Sequence, residues 1–271
     1  MIEVGAYLER IAYEGAVEPS PETLRALHRS HLYTVPFENL DIHLGRPIVL
    51  DETALYRKVV SERRGGFCYE LNGLFAALLR ALGYGVTLLE AGARMGDGGG
   101  FGPPFDHLVL AVRCPGEQEA GPEAVGGRWL ADVGFGESFL DPLRFAVGRV
   151  HEQDNGAYRI DADQGDYVLR RRAEQDGPWD AEHQFRDVPR ELADFEGMCR
   201  YHQSSPDSPF TQRRVCSLAT PDGRVTLRDT RLIVNSQGRR SEQPVDGEAS
   251  YRAALRGHFG IELPDVPWAG G

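Results

Sequence analysis

The order of periodicities along the chain predicts an α+β protein, with helical patterns first, strand patterns next and a mixed strand-helix tail. Three observations carry this. Leu71, Leu74, Phe75, Leu78, Leu79 and Leu82 recur at the i, i+3, i+4 spacing of one buried helix face. From Val86 the period shortens to two, in short runs separated by Gly, Pro and Asp clusters. Strand and helix patterns do not alternate as a parallel β-α-β sheet requires. With 271 residues, 41% of them apolar and 26% charged, the chain is long enough to bury a core of this kind.

Taken in order, Ser20 is placed to cap a helix from Pro21 to Ser30, with proline at its first position. A second helix is predicted from Asp51 to Val60, opened by Asp and Glu in the favoured first turn. The strongest runs from Tyr69 to Leu82, and Gly83 suits the left-handed position that ends it. Strands are predicted at Val86–Glu90, His107–Val112, Arg128–Val133, Tyr158–Ala162 and Tyr167–Arg171, with 163–166 as a hairpin loop. Such a succession points to an antiparallel barrel or sandwich. Helix returns from Pro189 to Tyr201. Val215 to Val245 holds three or four strands with Pro221-Asp222-Gly223 as a turn, and Glu248 to His258 is a helix ending near Gly260. The glycine-rich stretch 96–102 and the loop from Cys114 to Gly127 read as exposed, mobile connections.

Composition removes several functions. Lys and Arg number 30 against 41 Asp and Glu, a net charge of −11, which makes the whole chain a poor binder of nucleic acid or anionic membrane. Lys58 is the sole lysine and follows no glycine loop, so there is no P-loop; a Schiff-base enzyme would rest on this one residue of an ordinary amphipathic helix. Met1 to Gly5 lacks the features of a secretory signal, and the apolar run Leu74–Leu79 is too short to span a bilayer. Cys68, Cys114, Cys199 and Cys216 show neither CxxC nor zinc spacing, as expected of free thiols in a reducing cytoplasm. His28 and His31 form an i, i+3 pair without a third ligand and read as a solvated helix face. Arg170 to Arg172 read as a solvated face with nearby acids.

Chemistry concentrates around Arg63-Arg64-Gly65-Gly66-Phe67-Cys68-Tyr69-Glu70-Leu71-Asn72. A thiol at a helix start feels the positive end of the dipole and free backbone N–H groups, both of which favour thiolate. The same N–H groups could receive an oxyanion. The other reading of Cys68 is a small buried hydrophobe. A thiolate nucleophile needs a base, and the base needs an orienter. His107 opens the apolar run to Val112, and Asp132 interrupts another from Arg128 to Val133, where an acid is costly unless paired. If those strands are neighbours, the three side chains can meet across a cleft; a core histidine and a turn aspartate are the plainer alternative.

These residues resemble the arylamine N-acetyltransferases. The matching motifs are Val35-Pro36-Phe37-Glu38-Asn39-Leu40, Arg64 to Asn72, His107-Leu108, Asp132-Val133-Gly134-Phe135-Gly136 and Ser204 to Phe210, in the family's order over most of the chain. The resemblance implies a helical bundle over 1–85, a β-barrel over 86–188, and a helical linker with an α/β lid over 189–271, around a cysteine-protease-like Cys-His-Asp core. It implies a triad of Cys68, His107 and Asp132, which takes acetyl from acetyl-CoA and passes it to an aromatic amine or hydrazine, without a metal. Phe37, Phe135 and Phe210 are implied to line the acceptor pocket. Gly134, Gly136, Tyr201 and Asp207 fall near CoA. A related activity of the same family, an amide synthase closing a macrolactam on a carrier-bound polyketide, remains the alternative. A triad hydrolase and a binding protein with an inert thiol are the further rivals. A cytoplasmic protein with small-molecule partners, and neither nucleic acid nor membrane, is expected. The Gly- and Glu-rich insert at 115–127 sets this chain apart from many relatives.

Overall fold

The computed structural model describes residues 2–96, 99–116 and 124–268. At the N-terminal end, Glu3 caps α1 (Val4–Arg10), and Ser20 Oγ accepts from Thr23 N at 3.1 Å to start α2 (Pro21–Thr34). Helix α2 runs four residues past its predicted end. It stops at Val35, which precedes Pro36 and takes the extended conformation that proline imposes. A short α3 (Leu40–His43) follows. Asp51 sits outside α4 (Glu52–Tyr56) as its cap, accepting from Thr53 N and Ala54 N, and the helix widens into a π-helical turn over Arg57–Ser61. Helix α5 (Cys68–Ala81) is the axis of this part, buried on nearly every side against α1, α2 and α4. Gly83 follows it at φ +94°, as expected of a helix stop.

Eight strands then form one antiparallel sheet: β2 (Gly85–Ala93), β3 (His107–Arg113), β4 (Ala124–Ala131), β5 (Leu143–Ala146), β6 (His151–Gln153), β7 (Gly156–Asp163), β8 (Asp166–Arg172) and β9 (Asp180–Arg190). Their order is β5-β4-β3-β2-β9-β8-β7-β6. Beyond β5, Gly148 N bonds Ile160 O of β7 at 2.8 Å, drawing the two ends together into a nearly closed barrel rather than a sandwich. Leu89, Val109, Leu130, Phe145, Ile160 and Phe185 fill it. In the β7–β8 hairpin Asp163 pairs with Asp166, and Gln164 and Gly165 both take positive φ, the two-residue turn that matches strand twist. Strand β9, the longest among the described residues, has no counterpart among the predicted strands, and neither do β5 and β6. Its inward residues include His183 as well as Phe185, so the alternation is masked, and Pro189 sits where its register against β2 is broken by a bulge.

A 3₁₀ turn (Leu192–Phe195), α6 (Glu196–Ser204) and α7 (Pro209–Gln212) lead to β10 (Val215–Thr220), β11 (Gly223–Arg228), β12 (Arg231–Ser236) and β13 (Arg239–Pro244). Helix α8 (Gly247–Phe259) covers this sheet with Tyr251, Leu255 and Phe259. Its outermost partner comes from the far end of the chain: β1 (Phe37–Glu38) pairs antiparallel with β10. The architecture is therefore mixed α+β: helices, a barrel, and a sheet covered by a helix. Arg170, Arg171 and Arg172 do meet acids, at Asp161, Glu137 and Glu152. No described helix is long and apolar enough to cross a membrane.

Candidate active site

The site is built on the first turn of α5. Glu70 folds back so that Phe67 N donates to its carboxylate at 3.1 Å, and Lys58 holds the other oxygen at 2.8 Å. Lys58 also pairs with Asp41 at 2.8 Å, while Arg64 bridges Asp41 and Glu38. Lys58 therefore does more than an ordinary amphipathic helix asks of it. Its ammonium is buried among three carboxylates, and it clamps the segment that delivers Cys68. Gly65 lies against Pro36, where a Cβ would meet the carbonyl oxygen at 1.9 Å. Any side chain there would push the clamp apart.

His107 opens β3, and its Nε2 lies 2.7 Å from Asp132 Oδ2, both groups buried. Asp132 stands one residue past the end of β4 at Ala131, although the predicted strand runs on to Val133, because its backbone has turned to other partners. Asp132 N donates to His28 Nε2 at 3.1 Å, and Val133 N to Asn72 Oδ1 at 2.9 Å. The second carboxylate oxygen accepts from Asn72 Nδ2 and from Gly134 N, each at 2.8 Å. Asn72 Nδ2 also reaches Leu108 O at 2.7 Å. Lying four residues after Cys68, Asn72 shares its helix face, so one amide ties the cysteine's helix to the strand of His107 and the loop of Asp132. That loop lies directly on Cys68: a Cβ on Gly134 would be 2.8 Å from Cys68 Cα and 2.9 Å from its carbonyl oxygen. Gly134 therefore has a packing duty against the protein's own backbone.

Burial pushes the Cys68 thiol well above its ordinary range, and the carboxylates of Asp106 and Asp132 add to it. Burial also pushes the Asp132 carboxyl up, but His107, His183 and the bond from Asn72 outweigh it and hold the group below the usual carboxylate range. His183, on β9, is driven down to about 3 by burial and by its neighbour His107, so its ring is neutral.

Aromatic rings surround this core. Phe135 meets His107 edge-on with centroids 5.1 Å apart. Phe37 and Phe210 pack together at 6.2 Å, and Phe37 also faces Gly136, whose φ of +92° is a left-handed turn. Tyr201 stands exposed on α6, and Asp207 is exposed between α6 and α7. Part of the insert at 115–127, residues 117–123, lies outside the described residues.

The structure corrects the histidine pair. His28 and His31 do not form a solvated face: both are fully buried. His28 donates from Nδ1 to Leu140 O at 2.8 Å and accepts from Asp132 N, which fixes its tautomer, and burial keeps it neutral. The sequence assigns Asn72, His28 and His183 no role in the site. Asn72 carried a signal, an amide on the inward face one turn from Cys68; His183 carried none, because its neighbours come from other strands.

Cys68 at a buried helix start, with the loop that carries the His107-bonded Asp132 packed on it at Gly134, is a candidate site for acyl transfer, and the comparisons with known proteins place the chain in that class. The profile of a family described as N-acetyltransferase matches residues 20–267. An arylamine N-acetyltransferase of Mycolicibacterium smegmatis is 34% identical over 269 residues, spanning 98% of this chain and 94% of that protein. One of Escherichia coli K12 is 32% identical, over 96% of this chain and 89% of its own. The solved M. smegmatis arylamine N-acetyltransferase superimposes with a TM-score of 0.87 at 33% identity, covering 97% and 93% of the two chains. That of Mycobacterium marinum in complex with CoA gives 0.85 at 32%, covering 96% and 93%. The chain belongs to the arylamine N-acetyltransferase family and is an acyltransferase.

Proposed function

We propose that the protein moves an acetyl group from acetyl-CoA to the nitrogen of an arylamine or arylhydrazine by way of a thioester on Cys68. The observation that carries this reading is the buried 2.7 Å contact of His107 Nε2 with Asp132, whose loop packs at Gly134 on Cys68, the first residue of α5. The proton of the Cys68 thiol passes to His107 as sulfur attacks the acetyl carbonyl, and the ionised Asp132 stabilises the imidazolium that results. Backbone N–H groups at the helix start receive the oxyanion. CoA leaves as its thiol, taking the proton back from His107. The amine then attacks the thioester, gives its proton to His107, and the Cys68 thiol is restored. No step uses a metal.

Phe37, Phe135 and Phe210 offer flat apolar walls to the acceptor ring. Gly136 and Tyr201 are assigned to the CoA side by the family resemblance, and Gly134 with them, beside its packing on Cys68. A net charge of −11 and four free cysteines suit a cytoplasmic enzyme of small molecules with neither nucleic acid nor membrane as partner.

Intact mass after mixing with acetyl-CoA alone tests the reading. Wild type should gain one acetyl group, Cys68→Ala none, and an aryl hydrazine should discharge the adduct. A folded wild-type protein that gains no acetyl while Cys68 alkylates quickly would overturn it in favour of the amide synthase.

A further inference from the structure

We propose that His183, Asp132 and His107 form a binding site for one divalent transition-metal cation of the zinc class, and that its occupancy turns the enzyme off. His183 is fully buried, and neither of its ring nitrogens has a hydrogen-bond partner. An unsatisfied buried polar group of this kind costs about 1–3 kcal/mol, so an orphaned imidazole marks a place where a partner is missing. His31 is orphaned too, but it faces the rings of Tyr7 and Phe75. His183 instead faces the triad. Its ring centroid is 5.4 Å from that of His107, and one ligating atom from each of His107, Asp132 and His183 lies within 4.8 Å of the others. Among the described residues no other group of three such side chains meets that condition.

Two neutral imidazoles and a carboxylate are a donor set that zinc takes, with a fourth position left for water. Tetrahedral zinc holds its donors roughly 3.3 Å apart, so on binding His183 must draw in while the 2.7 Å contact of His107 with Asp132 opens slightly. Phe135 and Phe185, with ring centroids 5.3 and 5.8 Å from His183, wall the space and supply no competing ligand. The same geometry dictates the consequence. Nε2 of His107 faces Asp132, so a cation between them replaces the proton there. The displaced proton can be held at Nδ1, which is the nitrogen left to accept a proton from the thiol. A loaded site thereby removes the base and neutralises the charge of Asp132 together. This inhibitory arm rests on the acetyl-transfer reading; the binding arm does not.

Titration of the folded, metal-free protein with Co²⁺, and displacement by Zn²⁺, tests the site. One equivalent should produce the visible bands of tetrahedral cobalt without a thiolate-to-cobalt charge-transfer band, and Cys68→Ala should leave them in place. His183→Phe and, separately, His183→Gln should weaken binding more than about tenfold, and Asp132→Asn should do the same. Zn²⁺ should block formation of the acetyl adduct in wild type, and His183→Phe should need more than about tenfold more of it. Absence of the cobalt bands in wild type would overturn the proposal. So would a thiolate band that vanishes in Cys68→Ala, or unchanged affinity in whichever His183 variant folds. A wild type that binds cobalt yet never acquires acetyl would instead overturn the acetyl-transfer reading.

Discussion

Replacing Asn72 with alanine should damage stability and acylation together. The side-chain amide serves Leu108 O at 2.7 Å, Asp132 Oδ1 at 2.8 Å and the N–H of Val133 at 2.9 Å, all in buried surroundings. Each partner left unsatisfied costs about 1–3 kcal/mol, and a charged one more. Asp132 keeps His107 and Gly134 N, so its share falls at the lower end. The loss should come to about 3–5 kcal/mol, a large part of the 5–15 kcal/mol typical of a folded protein. Urea unfolding should show a lower midpoint with an unchanged slope. With the carboxylate less firmly held, acetyl-adduct formation by rapid-quench mass spectrometry should slow about 100-fold, as expected for misplaced catalytic groups. A stability loss below about 1 kcal/mol, together with a wild-type acylation rate, would show that Asn72 does not position Asp132.

Asp132→Asn should remain folded yet acylate at least about 100-fold more slowly, because the imidazolium loses its anionic partner; near-normal rates would remove Asp132 from the chemistry. Gly134→Ala should cost about 1–3 kcal/mol and slow acylation, since the new methyl lands 2.8 Å from Cys68 Cα; thermal melting and the adduct assay read both. Burial raises the Glu182 carboxyl to about 7, against the bond from Ser138 that lowers it. For an acid whose folded value lies above its unfolded one, stability is complete below pH about 4.5 and declines as pH rises through about 7, by up to about 3 kcal/mol. Glu182→Gln should flatten that decline in urea midpoints measured from pH 4.5 to 8, and an unaltered slope would mean that another group is responsible.

What could be read from the residues follows how local each signal is. The start of α5, the cysteine on it and the helix stop at Gly83 were legible because caps, dipole and glycine act within a few residues. The β7–β8 turn was legible for the same reason. His107 and Asp132 stood out as polar interruptions of apolar runs. His28 was misread because polarity in a helix suggests water, whereas its partners, Leu140 O and Asp132 N, lie more than a hundred residues away. The burial of Lys58 left no local signal either: three carboxylates brought from α5, α3 and β1 make it tolerable. Strand β9 stayed hidden because His183 occupies a core position that the pattern assigns to an apolar residue.

The pairing of Phe37 and Glu38 with Ser217 and Cys216 bears on the order in which the molecule can assemble. During synthesis the first strand of the last sheet leaves the ribosome early, then waits while the helices and the whole barrel are made. Until Val215–Thr220 emerges, that stretch has no ladder partner. Closing so long a loop is slow, and a waiting strand edge invites association with other chains. Once closed, the strand acts as a stitch from the first part of the chain into the last. A single cut in the exposed segment near Asp176 would therefore leave two fragments still held together.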